Sequence, residues 1–282
     1  MKVKLLIPTL IAVLLAILIM PAASASKSSM IWGSDYDQPN AEISVANNVC
    51  TYIMTQMTTY MSYTWNYKSY GGTTTKSNVE SLTSSCNNNY DASIVFYTGH
   101  GFEQYINGAN RYHVYSTTSG AWNDDIQDSS IFTKTTAGTH YFEVIWACFQ
   151  GNTRGYTNPS GNAAGMPYAW TQRNNLNSNG YYNNDGTAYC WIGFENVSPP
   201  LSDNTRYNSY TYGDFVKCFY YGLTALHKTV HDALDYASQL TFGVSAYDST
   251  ALHIGFWWHS GPTYGRQPGW MKVYGNSYRT LP

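Results

Sequence analysis

The sequence predicts an α/β fold, a three-layer sandwich in which a mainly parallel sheet carries helices on both faces. The first observation is that short apolar stretches alternate with stretches at helical spacing along the 282 residues. The second is that "SIVFYT" (93–98) and "YFEVIW" (141–146) are apolar almost throughout, as strands covered on both faces are. Neither an internal repeat nor a charged linker divides the chain, so we expect one domain.

The helices are predicted from apolar spacing and capping residues. Asn40 is a candidate N-cap for a helix over 41–61, where apolar residues recur at helical intervals. Thr229 and Asp232 form a capping pair that opens a helix with an apolar face. Further helices are predicted over 75–86, 124–134 and 212–223.

The strands are predicted from short apolar or aromatic runs bounded by Gly, Asn and Asp. In chain order they cover 29–33, 63–67, 92–98, 141–148, 188–197 and 271–274, with a hairpin or loop over 103–122. Residues 152–187 are rich in Gly, Asn and Pro and have few periodic apolar positions. They predict a long loop, which in a compact domain is usually functional or mobile.

The first 25 residues have the pattern of a secretory signal peptide. Lys2 and Lys4 precede an apolar run over 5–20, and Ala23-x-Ala25 supplies a small-residue cleavage site. An uncleaved membrane anchor is the alternative, although 16 apolar residues are short for a span. We therefore expect cleavage after Ala25 and a secreted, extracellular domain over residues 26–282.

Charge excludes some classes of partner. Removing the two lysines of the signal peptide leaves 13 basic and 17 acidic residues, a net charge of −4. This balance gives no reason to expect binding to nucleic acid, or to a membrane once the signal peptide is cleaved. Charged residues make up only 11% of the chain, so neutral polar side chains must solvate the surface.

Two reactive side chains follow the two most apolar strands. His100 stands between glycines directly after 92–98, and Cys148 closes the strand over 141–148. The carboxyl ends of parallel strands meet at one edge of a sheet, where ligands bind, so both side chains should share that rim. An imidazole beside a thiol can generate or position a thiolate nucleophile. The N–H groups of Gly101 and Cys148 could hold an oxyanion. Gly151 could turn the next loop away from the thiol.

"SIVFYTGHG" and "YFEVIWACFQG" resemble the caspase-like (clan CD) cysteine peptidases, closest in motif to the legumain, gingipain and clostripain branches. The 48-residue interval from His100 to Cys148 is similar to that of caspases. The resemblance implies a secreted cysteine endopeptidase acting on protein or peptide substrates through a His/Cys dyad. Cys148 would be the nucleophile and His100 the general acid/base, with no cofactor. A structural calcium occurs in some relatives, but no residues here point to its position. Trp146 stands where the family often has Gln, Glu or Asp.

The same resemblance suggests a specificity and an activation step. Asp35 and Asp37 follow the first strand at the same rim and predict a preference for Arg or Lys before the scissile bond, as in clostripain-like and gingipain-like relatives. The alternative is that both are solvated loop carboxylates. Caspase-like relatives are often cut in the connection that corresponds to 152–187, so Arg154 and Arg173 are candidate self-cleavage sites. The alternative is a mobile loop that shapes the substrate cleft and is never cut.

Five cysteines cannot all pair within one chain. Two disulfides and one free thiol are expected in an oxidising compartment. Nearness in sequence favours Cys50–Cys86 and Cys190–Cys218, among three possible pairings, and leaves Cys148 free.

A different class of function stays open. The 27 tyrosines and 9 tryptophans could line a binding face on a catalytically inactive caspase-like scaffold, which would make the chain an extracellular binding or adhesion protein. No metal site is expected. His227 and His231 are four residues apart but lack the Glu of a zinc-protease pattern, and His253 and His259 are better explained as surface or packing residues.

Overall fold

The computed structural model describes residues 25–71, 74–106, 109–116, 125–135, 139–152, 165–172, 189–205, 209–246, 257–259, 266–269 and 271–282. The strands of these segments are β1 (Lys27–Gly33), β2 (Trp65–Tyr70), β3 (Ala92–Thr98), β4 (Gly101–Ile106), β5 (Ala109–Val114), β6 (Ile126–Gln127), β7 (His140–Trp146), β8 (Cys190–Phe194), β9 (Trp257–His259), β10 (Arg266–Pro268) and β11 (Met271–Gly275). The helices are α1 (Asn40–Tyr60), α2 (Lys76–Asn89), α3 (Asp128–Lys134), α4 (Met166–Thr171), α5 (Tyr212–Thr224) and α6 (Val230–Phe242).

Six strands form the central sheet in the order β11-β8-β7-β3-β1-β2. The pairs from β8 to β2 are all parallel, and β11 runs antiparallel to β8 at one edge. The predicted mainly parallel sheet is therefore confirmed. Strands β3 and β7 lie side by side near its centre, which fixes the relative position of the segments that follow them.

Helices cover both faces of the sheet, as predicted. One apolar cluster packs α1, α5 and α6 against the sheet, and a second packs α2, α3, α4 and the β4–β5 hairpin against the opposite face. Strand β3 shows why its sequence is apolar throughout, because Ile94 and Phe96 enter the first cluster while Val95 and Tyr97 enter the second.

Capping residues begin two of the helices, and the first of these caps was predicted from the sequence. The Thr229 side chain accepts the N–H of Asp232 at 3.0 Å at the start of α6, and Thr211 forms a capping box at the start of α5. Such a cap typically contributes about 1 kcal/mol. The predicted cap of α1 is wrong by one residue. Pro39 occupies the N-cap position without a side-chain bond, and Asn40 lies in the first turn.

The predicted loop over 152–187 contains a short helix at its centre. Residues Met166–Thr171 form α4, and all six are buried in contact with α3 and the sheet. The sequence of this helix has few periodic apolar positions. Tertiary burial stabilises so short a segment, so the helix does not depend on amphipathic spacing. Arg154 and Arg173 lie outside the described residues.

Residues 1–24 also lie outside the described segments, so the signal peptide stays a prediction. Within the described part of the chain, no helix is both long and apolar enough to cross a bilayer.

An acidic side chain lies within the sandwich. Glu143 of β7 is fully buried beneath the second cluster, opposite Trp191 of β8. Neither of its carboxyl oxygens accepts a hydrogen bond from the described residues, and the Trp191 indole N–H also has no acceptor among them. Burial raises the pKa of the Glu143 carboxyl well above its usual range, because the charged form loses its hydration and gains no hydrogen bond from the described residues.

Candidate active site

The register between β3 and β7 brings the two predicted reactive residues to the same rim. Thr98 lies opposite Trp146 as the last aligned pair of these parallel strands. His100 and Cys148 each follow that pair by two residues, so both leave the sheet at its carboxyl edge. The N–H of Gly99 donates to the carbonyl of Trp146 at 3.4 Å and ties the two exits together.

His100 and Cys148 line one cleft. The cleft wall is completed by the ends of β3 and β7, the start of α1 and the segment after β8. Its lining residues are Gln38, Glu42, Thr98, Gly99, His100, Trp146, Cys148, Ser198, Pro199 and Pro200. The structure thus brings together the two side chains that were predicted to share one rim.

Ser198 holds the sulfur of Cys148. Its backbone N–H donates to Sγ at 3.3 Å, and its hydroxyl lies 3.6 Å from Sγ. Burial raises the pKa of the Cys148 thiol, and both groups of Ser198 offset part of that rise. Ser198 was not predicted from the sequence. Its only signal was a position just beyond the strand that neighbours β7.

The backbone after the cysteine turns sharply and is fastened to β8. Phe149 has a φ of 64°, in the left-handed region that is uncommon for a non-glycine residue. Its N–H donates to the carbonyl of Asn196 at 2.7 Å, and the N–H of Gly151 donates to Phe194 at 2.6 Å. A Cβ on Gly151 would lie 2.8 Å from the Phe194 carbonyl carbon. Gly151 therefore permits close contact with β8, whereas the sequence suggested that it turns the loop away.

His100 is fixed from both sides. Its ring Nε2 lies 3.3 Å from the carbonyl oxygen of Asp37, and its own carbonyl accepts the N–H of Tyr115 at 3.1 Å. The next residue, Gly101, packs on the nucleophile segment, because a Cβ there would lie 2.5 Å from the Cys148 carbonyl oxygen. A side chain at this position would force the two rim segments apart.

Asp35 and Asp37 follow β1 at this rim, as the sequence predicts. Asp37 reaches His100 through its backbone carbonyl, and neither Asp35 nor Asp37 is among the residues that line the cleft. Glu42 does line it, but its carboxylate oxygens accept the N–H groups of Leu201 and Ser202 at 2.9 and 2.7 Å. Glu42 was missed because helical spacing alone places it on the first turn of α1, not in the cleft.

Neither predicted disulfide is formed in this structure, which describes Cys50, Cys86, Cys148, Cys190 and Cys218 with no bond between any two of their sulfurs. Cys50 on α1 and Cys86 on α2 belong to the apolar clusters on opposite faces of the sheet, so the sheet itself separates them. Cys190 is buried within β8, whereas Cys218 lies on a partly exposed part of α5. Nearness in sequence does not determine on which face a helix packs.

His227 and His231, the possible metal pair, are not among the residues that line the cleft. His231 Nδ1 is 3.0 Å from Asp232 Oδ1, and its ring stacks on Tyr278. His227 has a positive φ of 48° in the turn between α5 and α6. In the described segments, no three His, Cys, Asp or Glu side chains are grouped to hold a metal ion. His253 and the side chain of His259 are outside the described residues.

No family model matches this chain, and no curated protein does. Among solved structures, the chain is similar to a secreted C11 cysteine protease from Bacteroides thetaiotaomicron in complex with an irreversible peptide inhibitor. The identity is 10% and the TM-score 0.42, over 77% of this chain and 58% of that one. Caspase-1 from Spodoptera frugiperda is similar at 12% identity and a TM-score of 0.43, over 91% of this chain and 89% of that one. This chain spans less than two thirds of the length of the Bacteroides protease.

Proposed function

We propose that the chain is a secreted cysteine endopeptidase in which Cys148 attacks the substrate carbonyl and His100 acts as general acid/base. The observation that carries the proposal is that His100 and Cys148 line the same cleft at the carboxyl ends of adjacent parallel strands. The substrate class is protein or peptide, and the side chains of the cleft supply the chemistry without a cofactor.

The reaction follows from the chemistry of the two side chains. The Cys148 thiolate adds to the carbonyl carbon, and His100 then protonates the departing amine as the acyl-enzyme forms. His100 next removes a proton from water, which attacks the thioester and releases the acid. The carbonyl oxygen carries negative charge in both tetrahedral intermediates, so stabilising it lowers both barriers.

The N–H groups of Gly101 and Cys148 are the proposed oxyanion donors. Tyr115 donates to His100 across the β4–β5 hairpin, so the adjoining pair of Gly101 and Val114 is a non-hydrogen-bonded pair. The Gly101 N–H therefore points away from β5. Close contact between the two segments that carry these N–H groups supports the proposal, because a Cβ on Gly101 would lie 2.5 Å from the Cys148 carbonyl oxygen.

Covalent labelling tests this proposal. A peptidyl ketone electrophile should add one equivalent to wild-type protein, with the adduct on the peptide that contains Cys148, as read by mass spectrometry. Cys148→Ala should take up no label, and His100→Ala should react at least about 100-fold more slowly, a loss typical of a general acid/base. Wild-type labelling that is equally fast without His100, or that falls on Cys218, would instead favour a non-catalytic binding protein.

A preference for Arg or Lys before the scissile bond is part of the proposal. Asp35 and Asp37 leave β1 at the rim where β3 and β7 also end, and Asp37 is exposed beside His100. A carboxylate near the cleft favours a cationic side chain in the substrate. Such a preference makes Arg154 and Arg173 natural sites of self-cleavage, with activation by a cut in the connection over 152–187.

Peptide cleavage and chain integrity test these two points together. A peptide with Arg at the scissile bond should be cleaved at least about tenfold faster than its Asp counterpart, as one favourable ion pair of roughly 1.4 kcal/mol allows. Purified wild type should mature into two fragments ending at Arg154 or Arg173, while Cys148→Ala stays one chain. The double variant Arg154→Gln/Arg173→Gln should stay intact yet cleave the peptide. Faster cleavage after Asp defeats the preference, and an active enzyme that never nicks defeats the activation step.

A further inference from the structure

We propose that Ser198 is a positioning residue for the nucleophile, in which the backbone N–H steadies the sulfur of Cys148 as a thiolate and the hydroxyl adds a second, weaker contact. The inference rests on the proposed function and deepens it. It assigns the support of the sulfur to the segment after β8, not to His100.

The polarity of the contact indicates its role. A backbone N–H can only donate, and a thiolate is a much stronger acceptor than a thiol. The N–H of Ser198 at 3.3 Å therefore favours the charged form of the sulfur. The hydroxyl of the same residue, 3.6 Å away, can rotate to donate as well.

The donor is held in place on both sides. Two residues before Ser198, the carbonyl of Asn196 accepts the N–H of Phe149 at 2.7 Å. One residue after it, the carbonyl of Pro199 accepts the indole N–H of Trp146 at 2.8 Å. Both partners belong to the segment that carries Cys148. The position of the donor relative to the sulfur is thus set before any substrate binds, which is how a donor stabilises charge most effectively.

The ring of His100 contacts a backbone carbonyl in this structure. Its Nε2 lies 3.3 Å from the Asp37 carbonyl, a contact in which the ring nitrogen donates its proton. Burial raises the pKa of the Cys148 thiol, and the backbone N–H of Ser198 is the largest influence that lowers it. The two tasks are therefore divided: Ser198 supports the sulfur before attack, and His100 serves the leaving amine.

The test measures the reactivity of Cys148 toward iodoacetamide as a function of pH, without any substrate. Ser198→Ala removes the hydroxyl and should slow alkylation at neutral pH about two- to tenfold, with the midpoint of the profile shifted to higher pH. Ser198→Pro also removes the N–H and should slow it about ten- to 100-fold, as for a hydrogen bond to a charged group. Ser202→Ala is the matched control. It deletes a hydroxyl from the same loop and keeps the N–H that binds Glu42.

The midpoint distinguishes stabilisation of the thiolate from a change in access, since access alters the plateau rate and leaves the midpoint in place. Profiles of Ser198→Ala and Ser198→Pro that coincide with wild type overturn the proposal. If Ser198→Pro fails to fold by circular dichroism, the midpoint of Ser198→Ala decides alone. Because the assay uses no peptide, a shifted midpoint in a chain that cleaves nothing would support Ser198 while contradicting the peptidase assignment.

Discussion

Cys148→Ala is expected to lower kcat/KM for a cleavable peptide by about 10⁴-fold or more, and His100→Ala by a similar factor. The reason is that both residues act in the same covalent step. Without the sulfur no acyl-enzyme forms, and without the imidazole the leaving amine is not protonated. The double variant should therefore be no worse than the poorer single variant. Steady-state hydrolysis of one fluorogenic peptide by the three variants measures this directly.

Cys218→Ala is the matched control for this experiment. Cys218 is also a partly buried free thiol, but it lies on α5 and does not line the cleft. Its removal should leave kcat/KM within about twofold of wild type. Losses from Cys148 and His100 that multiply in the double variant would show that the two residues act independently, against the dyad.

Glu143→Gln is expected to stabilise the protein, by an amount that grows with pH. The folded pKa of Glu143 is raised by burial, so the folded chain keeps a proton that the unfolded chain releases above its ordinary pKa. At a pH between the ordinary pKa and the raised folded pKa, Glu143 lowers the free energy of unfolding of wild type by about 1.4 kcal/mol per pH unit. Glutamine does not titrate, so the difference between variant and wild type should widen steadily as the pH rises above the ordinary pKa of a glutamate. Urea unfolding at each pH measures it.

Comparing the two proteins at the same pH cancels the other titrating groups. His140 is one such group, because burial lowers its pKa to about 4. The stabilising contribution of neutral His140 is lost as the pH falls from 6.5 toward that value. Glu195→Gln is the control. Its carboxylate is partly exposed and lies 3.2 Å from Lys272, so its loss should cost less than about 1 kcal/mol. A gap between Glu143→Gln and wild type that stays constant across pH would mean that the buried carboxyl is already ionised.

The central strands and the rim could be predicted because their signals are local. The bounds of β3 match the prediction residue for residue. Its apolar run lies between Asp91 and Gly99, so both ends of the strand are marked in the sequence. Parallel pairing then carries His100 and Cys148 to the same edge, whatever the details of the loops. The start of α6 was likewise predicted from one capping pair, Thr229 and Asp232.

What the sequence left open depends on contacts between distant segments. Ser198 meets Cys148 only because β8 lies beside β7 and the segment after it folds back over the cysteine. The predicted bond between Cys50 and Cys86 fails because the direction of each crossover, not the spacing of the cysteines, decides on which face a helix packs. In both cases the deciding information is tertiary.

The position of β8 and β11 in the sheet has a mechanical consequence for a nicked chain. Both strands come from the part of the sequence after residue 188, yet β8 pairs with β7 along four residue pairs. The bonds from Phe149 and Gly151 to residues 196 and 194 add to that seam. A cut between Asn152 and Tyr189 would thus leave two polypeptides that share one hydrophobic core and divide the cleft between them. Neither piece could keep His100, Cys148 and Ser198 on its own, so the working unit would be a heterodimer made from a single gene product.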